Sequence, residues 1–319
     1  MKIFLFKAVA FLMLQALIFF PLWRPDLPYE HDYLTATIDK HKRLKSIPSS
    51  RLILVGGSNL AFGIKSETLE TALGLPLVNM GLHINLGAPF MLGEVLGSVR
   101  RGDVVVLSFE YEIFVPKAAD LLRAQLLERR PASVTAIPSS KWKELCDQYG
   151  LCILGGLARR TIVNRFNEED LGTGSTYRRD LFDPQGSYVG HYGKPSEKFS
   201  DAPDNLVLIP PGDLALITEF VRTCQERGAL CFFSCPPHPL SLVTPVPAIL
   251  EKNLETLREV PGLVLIDSPQ EQGYERELFY DSTYHLTEAG ATQRTEKLVR
   301  ALKSALQEQF PNARYAALR

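Results

Sequence analysis

The chain is poor in the features that most readily give a function away. Five cysteines in 319 residues is a low and odd number, so no disulfide scaffold is implied and at least one thiol is free. Cys146 and Cys152 are close enough in sequence to close a small loop. Cys231 and Cys235 fall in an apolar run, where a thiol behaves as a small hydrophobe, and Cys224 lies in a helical pattern. Metal ligation is not supported, because no second Cys/His pair joins Cys231, Cys235 and His238. Net charge is nearly absent too: a formal value of −1 gives no overall pull toward nucleic acid. No basic tract, zinc-finger spacing or RNA-binding aromatic signature is found either, which leaves nucleic acid an unexpected partner. Neither G-x-G-x-x-G nor G-x-x-x-x-G-K-[ST] occurs, so the common phosphate-cradling loops are missing and no cofactor is implied. No internal repeat is visible.

Long hydrophobic runs are missing everywhere except at the N-terminus. There Lys2 and Lys7 precede an uncharged stretch from Ala8 to Trp23 whose only polar residue is Gln15. It is shorter than the ~20 residues of a comfortable membrane span, although Ile3 to Phe6 extend it. Lysines before the stretch, with Asp26, Glu30 and Asp32 after it, favour a cytoplasmic N-terminus and an extracytoplasmic body. No small-x-small site follows Trp23 closely, so an uncleaved single-pass anchor over residues 1–24 is favoured over a cleaved signal peptide.

Beyond the anchor, residues 25–50 read as a stalk with one short helix. Residues 51–310 read as an α/β domain, and residues 311–319 as a tail. Strand patterns at Arg51–Val55, Leu77–Asn79, Val104–Phe109, Ala229–Ser234 and Leu263–Ile266 alternate with helical ones. These helical patterns are Ser66–Leu73 with Ser66 as N-cap, Gly87–Val99, Asp213–Arg227, Asn253–Arg258 and a closing helix capped by Thr287. Apolar strands alternating with helices predict a five-stranded parallel sheet with helices on both faces, a three-layer α/β/α sandwich. Residues 115–210 break this rhythm. They read as an insertion beside the site, with a helix over Lys117–Arg130 followed by a long polar stretch.

Two segments carry the chemistry. Leu52-Ile53-Leu54-Val55-Gly56-Gly57-Ser58-Asn59 places a serine where the first strand ends, and Asp281-Ser282-Thr283-Tyr284-His285 stands just ahead of the closing helix. A hydroxyl nucleophile needs a base and a carboxylate to orient that base. Ser58 is the candidate nucleophile, His285 the candidate base with His238 as its competitor, and Asp281 the candidate orienting acid. The bland readings are a Gly-Gly-Ser-Asn turn and a surface histidine. In the insertion, Tyr177-Arg178-Arg179 and Tyr188 to Tyr192 offer aromatics and cations to a sugar or phosphate, or form a solvated loop.

Gly56-Gly57-Ser58-Asn59, Asn79-Met80-Gly81 and Asp281…His285-Leu286 resemble the sequence blocks of the SGNH (GDSL-like) hydrolase superfamily. The resemblance covers about residues 50–310 and implies a flavodoxin-like α/β/α fold. It also implies Ser58 as nucleophile, Asp281 and His285 as its partners, and the N–H groups of Ser58 and Gly81 as oxyanion-hole donors. Among members of that superfamily, the short anchor and the Tyr-His-Leu context most resemble envelope-bound proteins that work with membrane O-acyltransferases or in teichoic-acid D-alanylation. The chain departs from the pattern in three places. Gly57 stands where an aspartate usually precedes the serine, and Asp281 and His285 are one residue further apart than usual, which leaves Glu110 and Glu112 as rival orienting acids. No asparagine matches the third block, where Ser108-Phe109-Glu110-Tyr111-Glu112 stands; Asn59 or Asn85 would have to supply that donor. Glu110, Tyr111, His83 and Asn85 are the candidate substrate contacts.

The leading expectation is therefore a serine-dependent esterase or O-acyltransferase acting on an acyl ester of an envelope glycan or polymer. The alternative is a catalytically weak accessory protein of the same fold that binds a polymer or a membrane O-acyltransferase. A cytoplasmic nucleotide-binding protein is a distant third.

Overall fold

The computed structural model describes residues 31–115, 119–137, 177–199 and 206–309, with isolated positions between 7 and 15 and between 142 and 150. The strands are β1 (Leu52–Gly56), β2 (Leu77–Asn79), β3 (Val104–Ser108), β4 (Leu230–Phe233), β5 (His238–Pro239), β6 (Leu263–Leu265) and β7 (Gly273–Tyr274). The α-helices are α1 (Ala36–Ser46), α2 (Ser58–Gly63), α3 (Ser66–Leu73), α4 (Ala88–Leu96), α5 (Ala119–Arg129), α6 (Pro211–Glu226), α7 (Ala248–Arg258) and α8 (Glu288–Gln309).

Five strands form one parallel sheet in the order β2-β1-β3-β4-β6, and β5 pairs with β7 in a small parallel ribbon beside it. Residues alternate between the faces of a strand, and here both faces are covered. Ile53, Val55, Val78, Val105, Leu107, Cys231 and Phe233 pack into a core with α1, α4, α6 and α7. Leu52, Leu54, Leu77, Val104, Val106 and Phe232 pack on the opposite face with α3 and α8. Such double burial is why these strands read as unbroken apolar runs rather than alternating ones. The expected five-stranded, three-layer sandwich is what the chain forms.

Strand order reverses between β1 and β3, which lie side by side in register from Leu52↔Val104 to Gly56↔Ser108. In open α/β sheets the loops beyond the strand C-termini at such a reversal diverge and leave a crevice. Ser58 follows β1 and Glu110 follows β3, so both candidate residues stand at that crevice.

Several local expectations are corrected. Ser66 is not an N-cap: it is the first residue of α3, Lys65 precedes it, and the Ser66 hydroxyl instead meets Ser187 Oγ at 2.6 Å. The Gly-Gly-Ser-Asn segment is not a plain turn, since Ser58 already begins α2. Thr287 does cap the closing helix, accepting the Gly290 N–H at 3.3 Å, and Leu298, Leu302 and Ala305 form its buried stripe. Within the segment read as a stalk, α1 packs on the domain, with Lys40, His41 and Leu44 buried. Lys40 donates to the carbonyls of Asn79 (2.8 Å) and Gly186, which ties α1 both to the end of β2 and to the inserted segment.

The expected anchor lies almost wholly outside the described residues; Lys7, Val9 and residues 11–15 are helical. Among the described residues no helix is long and apolar enough to cross a membrane. Cys146 is an exposed free thiol, and Cys152, its expected partner, lies outside the described residues.

Candidate active site

Ser58, Asp281 and His285 open onto one cavity of about 640 Å³, whose wall also holds Tyr33, Phe62, His83, Glu112, Tyr177 and Tyr284. The sequence brings them there from opposite ends of the chain. β1 delivers Ser58 to the mouth of the crevice. The segment before α8 is folded back by an antiparallel bridge between Phe279 and Leu286 and by the Tyr280 N–H donating to the His285 carbonyl at 2.7 Å. Inside that turn the Ser282 hydroxyl accepts the backbone N–H groups of Tyr284 (3.3 Å) and His285 (3.2 Å). This local bond absorbs the extra residue between Asp281 and His285 and turns their side chains toward one another.

His285 Nδ1 lies 2.7 Å from Asp281 Oδ1, while Glu110 and Glu112 are engaged elsewhere. Asp281 is therefore the carboxylate that meets the imidazole. With Nδ1–H donated to Asp281, Nε2 carries the free lone pair. The imidazole lies flat on Phe62, with ring centroids 3.9 Å apart and planes 10° apart. Phe62 stands one helical turn beyond Ser58 on α2, so its ring ties the height and the tilt of the imidazole to the helix that Ser58 begins.

Tyr177 was read only as a possible docking aromatic, and its position is closer to the chemistry than that. Its hydroxyl donates to Asp281 Oδ2, the oxygen that His285 does not use. Burial alone raises the Asp281 pKa, but the hydrogen bond and charge of His285, joined by the Tyr177 bond, outweigh it and hold the carboxyl below its usual range. Burial and the carboxylate bond push the Tyr177 phenol well above its ordinary value, so it stays a donor. No sequence pattern pointed to this pair; an isolated tyrosine in a polar stretch has no periodicity to read.

Other expected site residues are placed differently. Asn59 is no oxyanion donor: its side chain is fully buried, its amide donates to the Ser108 carbonyl (2.9 Å), and its Oδ1 accepts from Ser108 Oγ (3.1 Å) and Arg294 (3.0 Å). Its backbone N–H goes to Glu110 Oε1 at 2.9 Å. The Gly81 N–H is likewise committed, to Asn79 Oδ1 at 2.9 Å. Position 81 is glycine for close packing, since a Cβ there would stand 2.7 Å from the Gly57 carbonyl oxygen. Glu110 and Tyr111 are buried behind the wall rather than on it, and the Tyr111 N–H donates to the Tyr284 hydroxyl at 3.1 Å. Asn85 sits in a short 3-10 turn where its N–H meets His83 Nδ1 at 3.1 Å; His83 reaches the cavity wall and Asn85 does not. Glu112 lines the cavity and accepts the Tyr284 hydroxyl. His238, the competing base, is buried in β5 against the rings of Tyr111 and Tyr284. Among the described residues no cluster of His, Cys, Asp or Glu has the geometry of a metal site.

No protein-family model and no curated protein matches the chain. Among solved structures, the Bacillus subtilis protein YxiM is similar over 81% of this chain and 57% of its own, at 12% identity and a TM-score of 0.38. The chain thus spans little more than half of that protein's length.

Proposed function

We propose that this chain is a serine-dependent esterase or O-acyltransferase that acts on an acyl ester of a cell-envelope glycan or polymer. The observation that carries the reading is the Asp281–His285 pair at 2.7 Å, stacked on Phe62 and facing the same cavity as Ser58. In the proposed reaction His285 Nε2 takes the proton from Ser58 Oγ as Oγ bonds to the ester carbonyl carbon. The tetrahedral intermediate then collapses, the ester C–O bond breaks, and the departing alcohol leaves with the proton from His285. The acyl-Ser58 so formed passes its acyl group to water or to a glycan hydroxyl: His285 takes the incoming proton as the new C–O bond forms, then gives it to Ser58 Oγ as the acyl C–Oγ bond breaks. The cavity is many times larger than an acetyl group, and its aromatic wall suits a sugar ring or an extended acyl chain. The sequence blocks shared with SGNH hydrolases support the same roles. The flanking charges of residues 1–24 support membrane anchoring with the domain outside.

A second reading, an accessory protein that binds such a polymer or a membrane O-acyltransferase, draws on one observation. The N–H groups of Gly81 and Asn59 are already bonded inside the protein, which leaves fewer donors for an oxyanion.

Labelling by a fluorophosphonate separates the two. The full chain in detergent is expected to label and to hydrolyse p-nitrophenyl acetate, and Ser58→Ala and His285→Ala to lose both. A folded wild-type chain that neither labels nor turns over would favour the accessory reading.

A further inference from the structure

Glu110 is a carboxylate placed under the nucleophile rather than beside the substrate. It follows β3, is fully buried, and among the described residues has no lysine or arginine bonded to it. Its Oε1 accepts the Asn59 N–H at 2.9 Å and the Ser58 hydroxyl at 3.5 Å, while its buried Oε2 has no partner among the described residues. The chain has made room for it, since a Cβ at position 57 would overlap both Glu110 carboxylate oxygens. Gly57 has a negative φ of −90°, outside the left-handed region that favours glycine, so the case for glycine there rests on space. The volume a side chain at position 57 would take is filled instead from the neighbouring strand.

Arg294, the nearest buried cation, is committed to the Asn59 carbonyl (2.7 Å), Asn59 Oδ1 and Ser108 Oγ (both 3.0 Å). The first turn of α2 is thus gripped from two sides, by Arg294 at the Asn59 carbonyl and by Glu110 at the Asn59 N–H. Cutting either grip frees the backbone that carries Ser58.

We propose that Glu110 is a positioning residue for Ser58. It fixes the Ser58–Asn59 backbone through Oε1 so that the serine is held on the wall of the cavity that His285 also lines, and it takes no proton from the serine. The proposal rests on the acyl-serine reading above. It requires an acceptor at Oε1, not a negative charge, and that makes it testable by Glu110→Gln, whose amide oxygen accepts the same N–H.

The experiment compares full-length wild type, Glu110→Ala and Glu110→Gln in detergent for saturating fluorophosphonate kinetics and for hydrogen exchange of residues 57–60. Glu110→Ala is expected to lower the maximal labelling rate by about tenfold or more, the scale of one lost hydrogen bond to a charged group, with the half-saturating probe concentration within twofold of wild type. Faster exchange of the Asn59 amide is expected with it. Glu110→Gln is expected to recover both to within about threefold. A Glu110→Ala protein that labels at the wild-type rate overturns the proposal. So does a Glu110→Gln protein that is folded and as slow as Glu110→Ala, because charge rather than position would then be what matters. Should Glu110→Ala fail to fold, Glu110→Asp, whose carboxylate stops one methylene short of Asn59, carries the same expectation. A wild-type chain inert to the probe sinks the esterase reading, while exchange at Asn59 still decides whether Glu110 holds the turn.

Discussion

At the scale of single residues, the three groups named from sequence share one cavity because each stands at a chain break that sequence marks clearly. Ser58 follows two glycines after an apolar strand, and His285 stands before a strongly patterned helix. What could not be read was where neighbouring side chains point once a strand has ended and its period of two no longer applies. The sequence offers Asn59 as an oxyanion donor and Glu110 as a substrate contact or rival orienting acid, and both point inward to hold the turn between them. Tyr177 shows the converse. Its bond to Asp281 crosses 104 positions of sequence, a separation that local pattern cannot bridge. Removing its hydroxyl by Tyr177→Phe keeps the ring among Tyr33, Phe62 and Tyr188 while taking one donor from the carboxylate that orients His285. Fluorophosphonate labelling is expected to slow by about tenfold with little change in melting temperature, since one charged hydrogen bond is worth about 1.5–3 kcal/mol and each 1.4 kcal/mol is tenfold.

At the scale of elements, the five main strands were legible because double burial writes them as apolar runs, and α8 because its stripe is long and capped. α2 was not, since six residues give less than two turns of period. The turn from Phe279 to Leu286 is the element on which the site depends most. Its Asp281–His285 spacing works only because the Ser282 hydroxyl accepts two backbone N–H groups. Ser282→Ala is expected to cost about 1 kcal/mol of stability, read from denaturant midpoints. It should also slow labelling as the Asp281–His285 bond loosens. Ser282→Thr, which keeps the hydroxyl, is expected to retain most of both.

At the scale of the whole molecule, two buried bases contribute to the pH response of stability. Burial depresses the His191 imidazole to about 4, partly opposed by its bond to the Leu286 carbonyl, and depresses Lys40 to about 7. In both cases the folded chain binds fewer protons than the unfolded one, between pH 4 and 6.5 for His191 and between 7 and 10.5 for Lys40. These two groups are therefore expected to add stability as pH rises through both windows, by about 2 kcal/mol from pH 5 to 7 and by a similar amount from 7 to 9, whereas burial raises the carboxyls of Asp103, Asp183 and Asp267 and gives them the opposite sign. Asp281 acts below these windows, since its depressed carboxyl gives up stability only as pH falls below the ordinary carboxylate range. Urea midpoints at pH 5, 7 and 9 check this. His191→Gln is expected to flatten the lower rise and Lys40→Met the upper one.

The two halves of the site lie more than two hundred positions apart, Ser58 just after β1 and His285 just ahead of the final helix. During synthesis Ser58 emerges early and stays without His285 until almost the entire chain has been made. The last helix must dock on the sheet, through Leu298 and Leu302, before the imidazole settles on Phe62. On the proposed function, chemistry at Ser58 is a late product of folding, withheld from any chain that ends before the last helix, and its appearance in a refolding experiment would time the arrival of that helix.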